Sequence, residues 1–197
     1  MKIGIDIMGG DFAPKEAVLG CIQALEQIRP ENTIVMFGDE PTARELLKEQ
    51  GVDASLFEFV HTTEVIEMGE NPTKAVASKK NSSINVGFAM LAQQKIDVFM
   101  SAGNTGAVMV GAVFSVKQVP GVSRPTIISV LPKLNGGFGV LVDAGTNSDC
   151  KPEMLDQFAV LGSLFCACIY GIEKPKVALM SVGEEKEKGN ALTLANF

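Results

Sequence analysis

Histidine, tyrosine and tryptophan are nearly missing: the 197 residues include one His, one Tyr and no Trp. A two-histidine zinc site therefore cannot be built within the chain, and a Ser-His-Asp triad could draw only on His61. Basic charge is also short. Lys plus Arg total 17 against 23 for Asp plus Glu, a formal net charge of −6. With a sequence pI near 4.9, the chain lacks the basic balance that sequence-independent nucleic-acid binding needs, and no nucleic-acid partner is expected. Mean hydropathy is +0.22, but no uncharged apolar stretch reaches the ~18 residues needed to span a bilayer. The opening Met1-Lys2-Ile3-Gly4-Ile5-Asp6 meets an acid at once and is expected not to be a secretory leader. The cysteines, Cys21, Cys150, Cys166 and Cys168, match no zinc spacing. Cys166 and Cys168 fall in an apolar helical run, where residues two apart diverge, so free thiols in a reducing compartment are expected. Three motifs are absent as well: GxxxxGK[ST], GxGxxG after the first strand, and the G-x-S-x-G nucleophile elbow.

What is present is an alternation of short β-branched runs with longer amphipathic ones, the pattern of a parallel sheet with crossover helices. Strands are expected at Lys2–Met8, Thr33–Phe37, Leu56–Val60, Asp97–Ser101, Thr126–Leu131, Phe138–Val142 and Lys176–Val182. A helix follows Pro14, with Val18, Cys21, Ile22 and Leu25 at helical spacing, and another runs from Pro41 to about Gln50. Asn71-Pro72 has the form of an N-cap followed by Pro at N1, and Ser82-Ser83 reopens a helix that runs to about Gln94. A small-residue helix starts near Thr105, and Pro152–Tyr170 and Ala191–Phe197 complete the set. The expectation is a single α/β domain over 1–197, incomplete at its C-terminus because the last helix is barely begun.

Ligands of open parallel sheets bind outside the carboxyl ends of the strands, near the point where strand order reverses. Five polar, glycine-bearing clusters fall there: Gly9-Gly10-Asp11, Gly38-Asp39-Glu40, Ser101-Ala102-Gly103-Asn104-Thr105, Asp143-Ala144-Gly145-Thr146-Asn147 and Gly183-Glu184-Glu185. Any one could be plain turn chemistry; five suggest a cleft. The Ser101–Gly106 loop is the best anion cradle, because it is uncharged, small and directly before a helix with unsatisfied N–H groups. Lys79, Lys80, Lys151 or Lys188 could complete it, although each could equally be a solvated surface charge. Asp6, Asp11, Asp39, Glu40, Asp143, Asp149, Glu184 and Glu185 could hold magnesium, but nothing in their spacing demands it, and capping helices or orienting lysines is the plainer role. For His61 the choice is between a general base and a strand-end histidine making one hydrogen bond.

These clusters together resemble the phosphate acyltransferases of bacterial phospholipid synthesis, the PlsX proteins. The matching stretches run in the family's order across the chain. They are Ile5-Asp6-Ile7-Met8-Gly9-Gly10-Asp11, Gly38-Asp39-Glu40, Val65-Ile66-Glu67-Met68, Lys79-Lys80-Asn81-Ser82-Ser83 and Ser101-Ala102-Gly103-Asn104-Thr105-Gly106-Ala107. Leu131-Pro132-Lys133-Leu134-Asn135-Gly136-Gly137, Asp149-Cys150-Lys151-Pro152-Glu153, Gln157-Phe158-Ala159, Gly183-Glu184-Glu185 and Lys188-Gly189-Asn190 follow. Two positions depart from the family: Phe12 where it commonly has histidine, and Thr146 in place of the usual alanine of Gly-Ala-Asn.

The resemblance implies a three-layer α/β/α sandwich with a mostly parallel sheet, similar to phosphotransacetylases and the isocitrate/isopropylmalate dehydrogenase-like group. It implies transfer of a fatty acyl group from acyl carrier protein to inorganic phosphate, giving acyl phosphate and free carrier, with no metal or cofactor. It also implies a cytoplasmic homodimer in peripheral contact with the inner face of the membrane, through a C-terminal part that this chain lacks. Phosphate is nucleophilic at neutral pH and a thiol of pKa about 8.5 leaves readily, so positioning and oxyanion stabilisation remain for the enzyme. The implied catalytic residues are Asn104, Lys151 and Lys188. The implied substrate-binding residues are Gly9, Gly10, Asp11, Lys80, Ser82, Ser101, Gly103, Thr105, Asn147 and Asn190. Acyl carrier proteins of this pathway are acidic, so a chain of charge −6 needs a local lysine patch to receive one. The alternatives are a phosphotransacetylase acting on short acyl-CoA, and a non-catalytic, membrane-recruited scaffold for lipid enzymes.

Overall fold

The computed structural model describes residues 1–183 and 188–195. By its internal contacts the chain divides into two compact units, 1–117 and 118–197.

The first unit is built on four parallel strands, β1 (Lys2–Asp6), β2 (Thr33–Gly38), β3 (Glu58–His61) and β4 (Val98–Ser101), in the order β3-β2-β1-β4. Alternation along β2 explains its layers. Ile34 and Met36 face one way, into a core with Val18 and Cys21 of α1 (Lys15–Ala24) and Ala43 and Leu47 of α2 (Glu40–Glu49). Val35 and Phe37 face the other way, towards Ile96 and α4 (Ser83–Ala92). A strand covered on both faces reads as one continuous apolar run, which is why Ile34-Val35-Met36-Phe37 has no polar alternation. The edge of the Phe99 ring meets Phe37 at 5.6 Å and Phe88 at 5.0 Å between centroids. A third cluster joins α3 (Pro72–Ser78), α4 and α5 (Thr105–Ser115) through Val76, Ile84, Phe88 and Ala107. The two expected caps are formed: Asn71 accepts from the N–H of Lys74, and Ser82 from that of Asn85.

The second unit contains an antiparallel hairpin, β5 (Ile128–Pro132) and β6 (Phe138–Val142), closed by a turn in which Gly136 and Gly137 both have positive φ. It also holds α6 (Pro152–Tyr170), which the sequence bounds to the residue, and the short α7 (Ala191–Leu194). Gly171, at φ 67°, stops α6 in the left-handed conformation. Among the described residues α6 is the one helix long and apolar enough to cross a membrane by length and composition. Its Cys166 is buried and its Cys168 exposed, diverging as helical geometry requires, and all four cysteines are free thiols.

Two expectations fail. Lys176–Val182 is not a strand: it has no ladder partner among the described residues, and a β-prone run without a partner has nothing to satisfy its backbone. Leu56 belongs to a 3₁₀ turn over Ala54–Leu56, because Asp53 accepts from the N–H of Ser55, and β3 begins only at Glu58. Asn196 and Phe197, the end of the expected last helix, lie outside the described residues.

Candidate functional site

Strand order in the first unit reverses between β1 and β4. From β1 the chain steps outward through β2 and β3, then returns to place β4 on the opposite side of β1. The loops leaving the carboxyl ends of these two strands, Gly9-Gly10 and Ser101–Thr105, therefore flank the switch point, the usual ligand crevice of such sheets. They touch. A Cβ on Gly9 would stand 2.5 Å from the backbone N of Gly103 and 2.9 Å from Asp6 Oδ2, so only glycine fits there.

Asp6 and Ser101, paired across β1 and β4, tie the two loops together. Asp6 is 3% exposed, and its Oδ1 accepts from the N–H of Met8 at 2.9 Å. Ser101 donates its hydroxyl proton to Asp6 Oδ2 at 2.6 Å and accepts from the N–H of Gly103 at 3.0 Å. Neither capping a helix nor orienting a lysine is what Asp6 does here. An acid inside an apolar strand, Ile5-Asp6-Ile7, was the available sign of a buried polar partner.

At the start of α5, Asn104 Oδ1 accepts from the N–H of Ala107 at 3.0 Å. The N–H groups of Thr105 and Gly106 remain the orphan donors of the first turn, with Thr105 exposed. Asn104 is 5% exposed, and its amide donates to the carbonyls of Glu67, Met68 and Glu70 at 3.1, 3.2 and 3.1 Å. In this arrangement its amide holds the 67–70 segment against α5. Lys79 ties the same segment, donating to Val65 O at 2.6 Å and Glu70 Oε2 at 2.7 Å. Glu70 is held below the usual carboxylate range by the Lys79 hydrogen bond and by the N–H of Glu67. Sequence reasoning missed this tie, since its partners lie 9 and 14 residues away.

Other expected site residues are distributed as follows. Gly10 is half-buried and Asp11 exposed beside this switch point. Lys80 donates to Val76 O at 3.2 Å. Ser82 is 0% exposed and caps α4, accepting from the N–H of Asn85. His61 is exposed and accepts on Nδ1 from the N–H of Glu40 at 3.2 Å, the plainer of its two readings.

In the second unit, Asn147 donates to Pro125 O at 3.0 Å and to Asp143 Oδ2 at 3.2 Å, so its amide is spent on its own loop. Asp143 is the hub of that loop. Burial raises its pKa, but hydrogen bonds from Ile127 N–H, Asn147 N–H and the side chains of Thr126 and Asn147 more than offset this and leave it below its ordinary value. Lys151 is exposed at the N-cap position of α6. Asn190 caps α7, accepting from the N–H of Thr193. It lines a pocket of about 330 Å³ with Met180, Ser181, Val182, Gly189 and Thr193. Lys188 is exposed beside it in sequence. Glu184 and Glu185 lie outside the described residues. No group of three or more His, Cys, Asp or Glu side chains placed to hold a metal occurs among the described residues.

In overall fold the chain is similar to a phosphotransacetylase from Streptococcus pyogenes, with a TM-score of 0.65 at 19% identity over 87% of this chain and 55% of that one. It is also similar to the EutD phosphotransacetylase from Staphylococcus aureus, with a TM-score of 0.60 at 20% identity over 87% and 54%. These likenesses place the α/β architecture. By sequence it is 40% identical over 197 residues to a phosphate acyltransferase from Syntrophomonas wolfei, and 44% identical over 198 residues to one from Dictyoglomus thermophilum. All of this chain is matched in both cases, but it spans only 61% and 58% of those relatives' lengths. The family model described as "Fatty acid synthesis protein" matches residues 1–197. With family motifs from Ile5 to Asn190 in order and that match across its length, the chain belongs to the fatty acid synthesis protein family.

Proposed function

We propose that the protein to which this chain belongs is a phosphate acyltransferase. It would convert fatty acyl-[acyl carrier protein] and inorganic phosphate into acyl phosphate and free carrier protein. A phosphate oxygen attacks the thioester carbonyl, the C–S bond breaks, and the carrier's thiolate leaves and takes a proton from solvent. The observation that carries this reading is the meeting of the Gly9-Gly10 and Ser101–Thr105 loops at the switch point, before the free N–H donors of Thr105 and Gly106. Such donors suit an anion, and they add to the family membership. Asn104 then serves as a positioning residue. The roles of Lys151 and Lys188 rest on the family resemblance, as do homodimerisation, cytoplasmic location and peripheral membrane contact.

The test uses the longest polypeptide that the gene encodes, supplied with phosphate and either palmitoyl-[acyl carrier protein] or acetyl-CoA. Acyl phosphate is trapped as the hydroxamate and carrier thiol is titrated in parallel. Product from the carrier-bound thioester supports the proposal. Product from acetyl-CoA alone would replace it with the short-chain phosphotransacetylase reading, and no product from either would favour a scaffold.

A further inference from the structure

Within unit one, Asp6 is buried, yet it is joined to the proposed phosphate cradle by two consecutive hydrogen bonds. Its Oδ2 accepts the hydrogen bond that the Ser101 hydroxyl donates, at 2.6 Å. That fixes the hydroxyl rotor, so a lone pair of Ser101 Oγ faces the N–H of Gly103, which donates to it at 3.0 Å. Gly103 is buried and packs backbone to backbone against Gly9. Its N–H is therefore spent on Ser101, and the donors next in line, Thr105 and Gly106, are the first-turn N–H groups that the Asn104 cap does not take. The other carboxylate oxygen fixes the N–H of Met8 at 2.9 Å, immediately before Gly9. One buried carboxylate thus sets the backbone of both loops that meet at the switch point.

We propose that Asp6 is a positioning residue for the anion cradle, acting through the Ser101 hydroxyl on the backbone of Gly103. The expected sign of this role is a loss of phosphate recognition transmitted through Ser101, separable from a loss of fold. It rests on the phosphate-cradle reading above.

The experiment titrates the longest polypeptide that the gene encodes with inorganic phosphate and follows the amide resonances of Gly103, Thr105 and Gly106, with thermal unfolding measured alongside. In the parent protein the expected cycle is Asp6→Asn, Ser101→Ala, the double variant, and Ser101→Thr, which keeps the hydroxyl. Asp6→Asn replaces an acceptor with a donor facing Ser101, and Ser101→Ala removes the link. Each should weaken phosphate binding about tenfold, the scale of one charge-assisted hydrogen bond. The double variant should be no weaker than either single one, and Ser101→Thr should bind like the wild type. In turnover, the phosphate KM should rise with kcat changed less.

Effects of Asp6→Asn and Ser101→Ala that multiply in the double variant would overturn the proposal, as would an Asp6→Asn chain that binds phosphate like the wild type. If Asp6→Asn fails to fold, the Ser101→Ala and Ser101→Thr pair decides: equal weakening in both refutes a role for the hydroxyl. A wild-type chain whose amides ignore phosphate would bring down the cradle reading itself, and this inference with it.

Discussion

Asn104 works in two directions with one side chain: its Oδ1 accepts from the N–H of Ala107, and its two amide hydrogens are shared among three carbonyls. The two roles can be separated chemically. Aspartate is as good an N-cap as asparagine, so a capping role alone predicts that Asn104→Asp is nearly neutral. A carboxylate facing the carbonyls of Glu67, Met68 and Glu70 removes their donors and adds repulsion. Asn104→Asp should therefore cost about 1–3 kcal/mol in unfolding free energy, and at least as much as Asn104→Ala. Denaturant titration of the two variants checks this. Thr146 offers the opposite case: its hydroxyl oxygen is buried with no partner, at a position where the family usually has alanine. The isosteric Thr146→Val should stabilise the chain by about 1 kcal/mol, because it removes an unmet polar group without opening a cavity. A lower denaturation midpoint would refute it. Cys21 is inert for a related reason, since burial pushes its thiol up to about 11.

At the scale of an element, the loop after β6 depends on one carboxylate. Asp143 Oδ1 accepts from Thr126 Oγ1 and Ile127 N–H at 2.8 and 2.9 Å, and Oδ2 from the N–H groups of Thr146 and Asn147 at 2.9 and 2.7 Å. Its pKa in the folded chain lies below its ordinary value. The stability it contributes is thus fully present above the unfolded pKa of about 3.9 and is lost as pH falls through the folded value. Asp143→Asn should lower the melting temperature by a constant amount near neutral pH, and the gap to wild type should shrink below about pH 4. A gap that widened on acidification would contradict the assignment. Surface pairs such as Lys2–Glu58 and Arg44–Glu40 should matter far less, being solvent-exposed.

At the scale of the whole molecule, buried apolar residues are unevenly shared. All three core clusters lie within 1–117, while Met154, Phe158 and Cys166 are the buried hydrophobic side chains described in 118–197. Local stability follows burial and protected backbone hydrogen bonds. Native-state hydrogen exchange should therefore find the slowest amides in β1, β2 and α2, and faster exchange in β5, β6 and α6. The reverse order would show that the second unit draws stability from something other than its own buried core. On α6, Val160, Leu164 and Ile169 are 58%, 56% and 62% exposed, so those side chains gain little from their own unit.

Strand and helix positions were legible because they depend on local terms. Ile34-Val35-Met36-Phe37 is β-branched and apolar throughout, Asn71-Pro72 and Ser82 carry capping chemistry in three or four residues, and Pro152 and Gly171 bracket α6. Lys176–Val182 has the same composition as a strand, and its failure to be one reflects a missing partner rather than a missing propensity. The candidate site was legible as a set of loops, since glycine-rich turns after strands are local too. What the sequence could not assign was the direction of each polar side chain. Ser101 and Asn104 read as ligand donors, but their protons go to Asp6, 95 residues away, and to carbonyls 34 to 37 residues away. Composition, periodicity and motif order alone determined the α/β class, the family resemblance and the glycine-bearing loops at the strand ends. Only the tertiary structure decided the order β3-β2-β1-β4 and which polar groups are spent holding those loops, because a hydrogen bond is allotted by proximity in space and not by spacing along the chain.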